Sequence, residues 1–312
     1  MKNKHLPLIG LMLFLGCGIS FAQPKADGAP AVLVKGGFVK TSPQWSPKGD
    51  KIALSTLNYD GIWVADADGK NLEKITADPG SGYKLSWSED GKTILARTSP
   101  KVEKRVFHEV KTYNVKDKSE KVLLAKTREL KGIPAWSNDN SNIVYTVDAK
   151  KEKVSTGKIA LKSAKQESEA QILVQKIQEN PANISRLIPG LKDVEGAVLF
   201  NAQASSTNKV VFEAGAKGLF ICDGDGSNLK NLGRGNTPTW TPDGKYVIVS
   251  ITEDDGEVVT KGELNAIDIA TGTYQKLTDD SVIALRPSVA PAGNKVAFEE
   301  LRSGDIYVLK LK

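Results

Sequence analysis

The chain holds only two histidines, His5 and His108, and imidazole is the side chain through which most acid–base and nucleophilic catalysis runs near neutral pH. His108 sits in the alternating run Val106-Phe107-His108-Glu109-Val110, and no Gly-x-Ser-x-Gly turn supplies a nucleophile for it. It is expected to be a solvent-facing strand residue, and a zinc site lacks ligands altogether. Asp66-x-Asp68-Gly69 and Asp223-x-Asp225-Gly226 look like pieces of a calcium loop. Such a loop needs Gly at its sixth position and Glu at its twelfth, where Ala77 and Arg234 stand here. Asp-Gly hairpin turns account for both segments, and the run Glu253-Asp254-Asp255-Gly256-Glu257 reads as a solvated charge cluster. Gly224-x-Gly226-x-x-Leu229 lacks the third glycine and the following helix of a dinucleotide loop. No catalytic residue, cofactor or metal is therefore expected, although a carboxylate-only enzyme leaves no motif. Two buried carboxylates about 5–10 Å apart would be its sign.

The elements that position these residues recur along the chain. Trp45, Trp87, Trp136, Trp240 and Val289 each precede the first apolar residue of a strand pattern by seven positions, at Ile52, Ile94, Ile143, Val247 and Val296. A sixth copy fits with Phe200 as anchor and Val210 as the run, stretched by three residues. Between anchor and run stand turn residues such as Ser46-Pro47-Lys48-Gly49 and Thr241-Pro242-Asp243-Gly244, where Pro presets one turn dihedral and Gly supplies positive φ. Period-two alternation follows, then a third strand (Ile62–Val64, Lys111–Val115, Lys158–Leu161, Leu219–Ile221, Leu264–Ile267, Ile306–Val308) and a fourth (Lys74–Thr76, Val122–Leu124, Ile172–Val174, Leu229–Leu232, Gln275–Thr278). Four strands in about 40 residues is the period of a β-propeller blade.

The spacing predicts an all-β, six-bladed propeller of four-stranded blades at about 41–78, 83–126, 132–175, 196–233, 236–279 and 285–312. The last unit is one strand short, and Ala31–Lys35 is a strand without a blade. Residues 31–35 should therefore complete the last blade and close the ring. Two insertions, 99–110 and 176–195, interrupt the period and belong to loops on one face, the second a candidate binding loop.

Ahead of the propeller, Lys2 and Lys4, an apolar stretch from Leu6 to Ile19 and Ser20-Phe21-Ala22 describe a signal peptide cleaved near Ala22, with 23–30 as a linker. The exported chain is expected in the periplasm or outside the cell, without a transmembrane segment. The competing reading makes Cys17 the acylated residue of a lipoprotein. Cleavage removes two lysines and no acid, taking the formal charge from +6 to +4, too mild to argue for nucleic acid. Only Cys222 then remains, so no internal disulfide forms.

The segments Pro43-Gln44-Trp45-Ser46-Pro47-Lys48-Gly49 and Pro238-Thr239-Trp240-Thr241-Pro242-Asp243-Gly244-Lys245 resemble the WD-like repeat of the TolB propeller family, over residues 31–312. The resemblance implies the fold, and it implies an exported, non-enzymatic module that docks proteins or peptides in the bacterial envelope. Related propellers gate prolyl-oligopeptidase-like peptidases or form oligogalacturonate lyases, whose His-rich metal site this chain lacks. TolB carries an α/β domain ahead of its propeller, and residues 23–40 are too short for one, so that domain's role in the Tol system is not carried over.

In a propeller the residues just ahead of each innermost strand ring the central opening. Lys40, Lys84, Lys131, Arg234 and Arg286 occupy those positions, with Tyr83 and Asn236 among them. Five converging cations would favour an envelope protein or acidic peptide, or an anionic glycan or small ligand. The chain is expected to be a monomer.

Overall fold

A computed structural model of the chain describes residues 23–35, 40–137, 142–147, 150–155 and 168–312. The signal peptide expected at 1–22, with Cys17, lies outside the described residues, as does the strand expected at 158–161. Six antiparallel blade sheets follow one another along the chain, and the innermost strands of the fourth, fifth, sixth and first meet in turn, so that the ring closes between the last and the first. Blade one comprises Lys40–Trp45, Lys51–Thr56, Ile62–Asp66 and Glu73–Thr76, and blade two Ser86–Trp87, Thr93–Thr98, His108–Asn114 and Glu120–Thr127. Blade three has Leu130–Trp136, Asn142–Val147 and Lys150–Ser155. Blade four has Leu199–Ala204, Lys209–Ala214, Leu219–Asp223 and Lys230–Gly233, and blade five Asn236–Trp240, Tyr246–Asp254, Val259–Asp268 and Tyr274–Lys276. Ala284–Val289, Lys295–Glu300 and Asp305–Lys310 form blade six, whose outer strand is Ala31–Val34, paired antiparallel through Ala31 opposite Val308 and Val34 opposite Ile306.

Five blades, not six, have four strands among the described residues. In blade three the third strand is Lys150–Ser155, ahead of the 158–161 expected, because the hairpin turns at once and sets Val147 opposite Lys150. The fourth strand expected at Ile172–Val174 is instead part of a helix, Glu169–Glu179. Ser168 caps it: its hydroxyl accepts from the Gln171 N–H while the Gln171 side chain accepts from the Ser168 N–H, and Ala170, Leu173 and Ile177 fall on one buried face. That three- and four-residue spacing outweighs the β-branched run. The insertion continues through a turn at Ile184–Leu187 and a 3-10 segment at Pro189–Val194.

The hydrophobic clusters lie between blades rather than within one. Ala290, Ala297 and Ile306 of blade six pack with Trp45, Ile52 and Leu54 of blade one; Ile62 and Val64 of blade one pack with Ile94 and Tyr113 of blade two; comparable clusters join blades two to three, four to five and five to six. Between blades three and four the helix takes the place of direct packing. Leu173, Ile177, Leu191 and Val194 cover Leu199, Val210 and Phe212 of blade four, while the helix touches the innermost strands of both blades. Because each blade is covered on both faces, second strands such as Val210–Ala214 and Tyr246–Ser250 are buried at every residue.

The anchors work as a ladder. The indole N–H of Trp45 donates to Ser288 O (3.0 Å), that of Trp87 to Gln44 O (3.3 Å), that of Trp136 to Ser86 O (3.3 Å) and that of Trp240 to Gln203 O (3.0 Å). Each acceptor immediately precedes the anchor of the preceding blade. By this rule, and by the pairing of Ala204 with Val210, the blade-four anchor is Ala204 and not Phe200, which lies opposite Glu213 and is exposed. The copy is shortened, not stretched, and small Ala204 leaves the indole signal missing.

Candidate functional site at the channel mouth

Five innermost strands are interrupted by a bulge three or four residues ahead of the anchor, and in blade two the equivalent residue lies in the turn just before the strand. There a residue takes a left-handed conformation: Ser42 (φ 54°), Lys84 (φ 49°), Gly132 (φ 65°), Asn201 (φ 51°), Thr237 (φ 49°) and Arg286 (φ 50°). Pairing shifts register across the same residues in five of the blades. Pro43, Pro238 and Pro287 directly follow bulge residues, where the ladder needs no N–H. Non-glycine residues held at positive φ are strained by about 1–3 kcal/mol each and persist only where neighbours fix them.

Side chains from the second strands do the fixing. Glu213 Oε1 accepts from Asn201 Nδ2 in its own blade and from the Thr237 N–H in the next, both at 2.7 Å. Glu299 Oε2 accepts from Arg286 Nη1 (2.8 Å) in its own blade and from Thr41 Oγ1 (2.5 Å) in blade one. Arg97 Nη1 donates to Gly132 O in blade three (2.9 Å) and stacks on Tyr83, 5.5 Å from the ring centre, while Tyr83 meets Tyr59 edge to face at 5.2 Å. Thr146 Oγ1 donates to Glu179 Oε1 at the end of the helix (2.9 Å). Both buried carboxylates on this ring thus tie one blade's bulge to the next.

The bulges enclose a cavity of about 560 Å³ lined by Ser42, Lys84, Asn201, Thr237 and Arg286, with Gln178 from the helix. Tyr59 and Tyr83 stand at its mouth, on the face formed by the connections between second and third strands and those between blades. The structure brings Lys84, Tyr83 and Arg286 together here. Lys131 lies opposite Thr146 and is exposed. Arg234 donates to Thr252 O (3.0 Å) and Asn236 Nδ2 to Thr252 Oγ1 (3.0 Å), in a separate cleft of about 140 Å³ between blades four and five. Lys40 pairs with Thr56 in the ladder, and its side chain lies outside what the structure describes. A five-cation ring does not form around the cavity, because two of its members are turned to blade-five groups or to solvent and the Arg286 charge is met by Glu299. Sequence reading missed Glu213, Glu299 and Arg97. The signal that would have placed the bulges is the proline two residues ahead of Trp45, Trp136, Trp240 and Val289.

Lys84 differs from its neighbours. Burial pushes its ammonium below the ordinary lysine range, and only the field of Glu213 opposes that. Burial likewise pushes Glu213 above the ordinary 4.5, against the hydrogen bonds from Asn201 and Thr237 and the charge of Lys84. A carboxyl whose folded pKa is raised favours folding most below its unfolded pKa, and that contribution is lost as pH rises through the folded value. Glu213→Gln keeps an acceptor for the Thr237 N–H and removes the buried charge. The variant is expected to gain on wild type in urea midpoint as pH goes from about 4 to about 7, and equal midpoints across that range would refute the assignment.

His108 Nδ1 lies 3.2 Å from Ser99 Oγ. Burial and the nearby Arg97 charge hold the imidazole below its ordinary pKa, and the same charge disfavours the imidazolium a general base must become. Asp66 accepts from Lys51 Nζ and Asn71 Nδ2, and Asp223 from Lys209 Nζ and Asn228 Nδ2, so both calcium-like segments are closed hairpin turns. Cys222 is buried, its thiol pushed up to about 12 by desolvation and neighbouring aspartates.

No protein-family profile matches the chain, and no curated protein matches it. Among solved structures, the Myceliophteria thermophila Cps50 (Swd1) β-propeller domain is 13% identical with a TM-score of 0.55, over 89% of this chain and 98% of that one. A chain of the mitotic checkpoint complex is 12% identical, TM-score 0.51, over 100% and 98%. The chain has the β-propeller fold. TolB from Acinetobacter baumannii also matches, at 14% identity and a TM-score of 0.45, covering 86% of this chain, which spans 62% of TolB's length. No helix among the described residues is long and apolar enough to cross a membrane.

Proposed function

We propose that this propeller is a non-enzymatic module of the bacterial cell envelope that docks a carboxylate-bearing protein or peptide segment at the channel mouth after export. The observation that carries this reading is Lys84: it shares the cavity wall with Arg286, whose charge is met by the buried Glu299, while the charge acting on the Lys84 ammonium is that of Glu213. The paired rings of Tyr59 and Tyr83 beside it offer an apolar face for a partner's backbone. The buried carboxylates Glu213 and Glu299 serve the bulges through their hydrogen bonds, and the third, Glu300, accepts from the Ile283 and Ser303 N–H groups, which supports a binding role over a carboxylate-based reaction.

The test is a pull-down from envelope extract with chain 23–312, followed by titration of the recovered partner into wild type and Lys84→Met. A charge-assisted hydrogen bond is worth about 1.5–3 kcal/mol, so the variant should bind roughly 10- to 100-fold more weakly. Its unfolding midpoint should stay level or rise, since a poorly solvated charge is removed. Equal affinity in both proteins would overturn the reading, and recovery of an anionic glycan instead of a protein would transfer the site to that ligand class.

A further inference from the structure

Two connections stand out on the face that carries the channel mouth, and both join a second strand to a third. In blade two the connection builds its own hairpin, Lys101–Val102 paired with Arg105–Val106. In blade five the two strands run on beyond the sheet, to Glu253 opposite Lys261 and Asp254 opposite Val259. The equivalent links in blades one, four and six span only 57–61, 215–218 and 301–304. The blade-two arm carries Lys101, Lys104 and Arg105 against a single acid, Glu103. The blade-five arm carries Glu253, Asp254, Asp255 and Glu257, with Lys261 paired to Glu253 at 3.1 Å. All of these residues are exposed. So are the valines beside them: Val102, Val106 and, at 61% exposure, Val258.

Blades two and five stand three steps apart whichever way the ring is followed, so the arms lie at opposite ends of one diameter with opposite charge. Such a face is complementary to itself. Turning a second copy over about a two-fold axis that crosses the face at right angles to that diameter brings each basic arm onto the other copy's acidic arm and apposes the valines. The same patch then serves both copies, as an isologous contact requires. We propose that the two arms join two copies of the chain face to face, in place of the monomer expected from the sequence. The contact uses none of the cavity residues, so it stands apart from the docking role of Lys84. It sets the two channel mouths toward each other, and a docked segment must then enter between the arms.

Sedimentation equilibrium of chain 23–312 tests this. At about 0.05 M salt the mass should be twice that of one chain, and by about 0.5 M it should fall back to one chain, as exposed charge pairs are screened. The triple variants Lys101→Glu/Lys104→Glu/Arg105→Glu and Glu253→Lys/Asp254→Lys/Asp255→Lys should each stay at single-chain mass, because like charges then face each other at both arms. Mixed in equal amounts, they should recover the doubled mass as a one-to-one pair, and far-ultraviolet circular dichroism should show both folded. Lys84→Met should dimerise like wild type even where it loses its docking partner. A wild type at single-chain mass at low salt, triple variants that dimerise alone, or a mixture that fails to pair would each overturn the proposal.

Discussion

Glu299→Ala should lower the free energy of unfolding by about 3–5 kcal/mol, the range for removing one member of a buried charged pair. Glu299 is fully buried, and its Oε2 accepts from both Arg286 and Thr41, so one side chain holds the strained bulge of blade six and the first strand of blade one. Alanine would leave a half-buried guanidinium and a buried hydroxyl without their acceptor, at the seam where the ring closes. Glu299→Gln retains an acceptor but not the charge, and should lose less. Trp45 reports on this seam because its indole donates to Ser288 O, so urea unfolding followed by tryptophan fluorescence reads the loss directly. A midpoint for Glu299→Ala within error of wild type would show that the bulges are held by backbone pairing alone.

The same carboxylate explains why the fold was more legible in the sequence than the site. Turn residues and alternation are local signals, and they located the strands of blades one, two, five and six. They also identified Ala31–Lys35 as a strand needing a blade, of which Ala31–Val34 forms the strand. The channel is built from residues distant in sequence: Thr41 and Glu299 meet across 258 positions, and Glu213 reaches the Thr237 bulge across 24. Nothing near Lys131 or Arg234 distinguishes them in sequence from Lys84, and only the position of each bulge decides which side chain faces the cavity. In blade three, Ile172-Leu173-Val174 carried a strand pattern over three residues, whereas the Ser168 cap and the spacing of Ala170, Leu173 and Ile177 carried a helical one over ten. The longer pattern prevailed because the helix also fills the seam beside blade four.

That seam suggests how a ring of β-blades tolerates an irregular member. A blade lacking a described fourth strand still needs its inner strands covered, and the helix does this from the next position in the chain, reaching Leu130–Trp136 on one side and Leu199–Ala204 on the other. Gln178, at its end, lines the cavity, and Glu179 beside it accepts from Thr146, so the insertion contributes to the cavity lining and not only to packing.

Ring closure can be tested at two residues of one strand. Val34 is buried among Trp45, Ile52, Leu54 and Ala297, whereas Val32, two positions earlier, is 40% exposed. The outer strand's register shifts between them, so the closing contact is made by one end of the strand. Val34→Asp places an unpaired carboxylate in that cluster and should cost upward of about 3 kcal/mol, while Val32→Asp should stay within about 0.5 kcal/mol of wild type. The Val34→Asp deficit should also shrink toward acid pH, because burial raises the new carboxyl's pKa and its protonated form is the cheaper one to bury. Nor can the strand readily shift aside. The turn of blade one approaches so closely that a Cβ on Gly69, which sits at φ 82°, would lie 1.7 Å from Leu33 O. Comparable losses for the two variants would mean that the strand is an accessory edge and that the ring is closed by the Trp45 and Glu299 contacts without it.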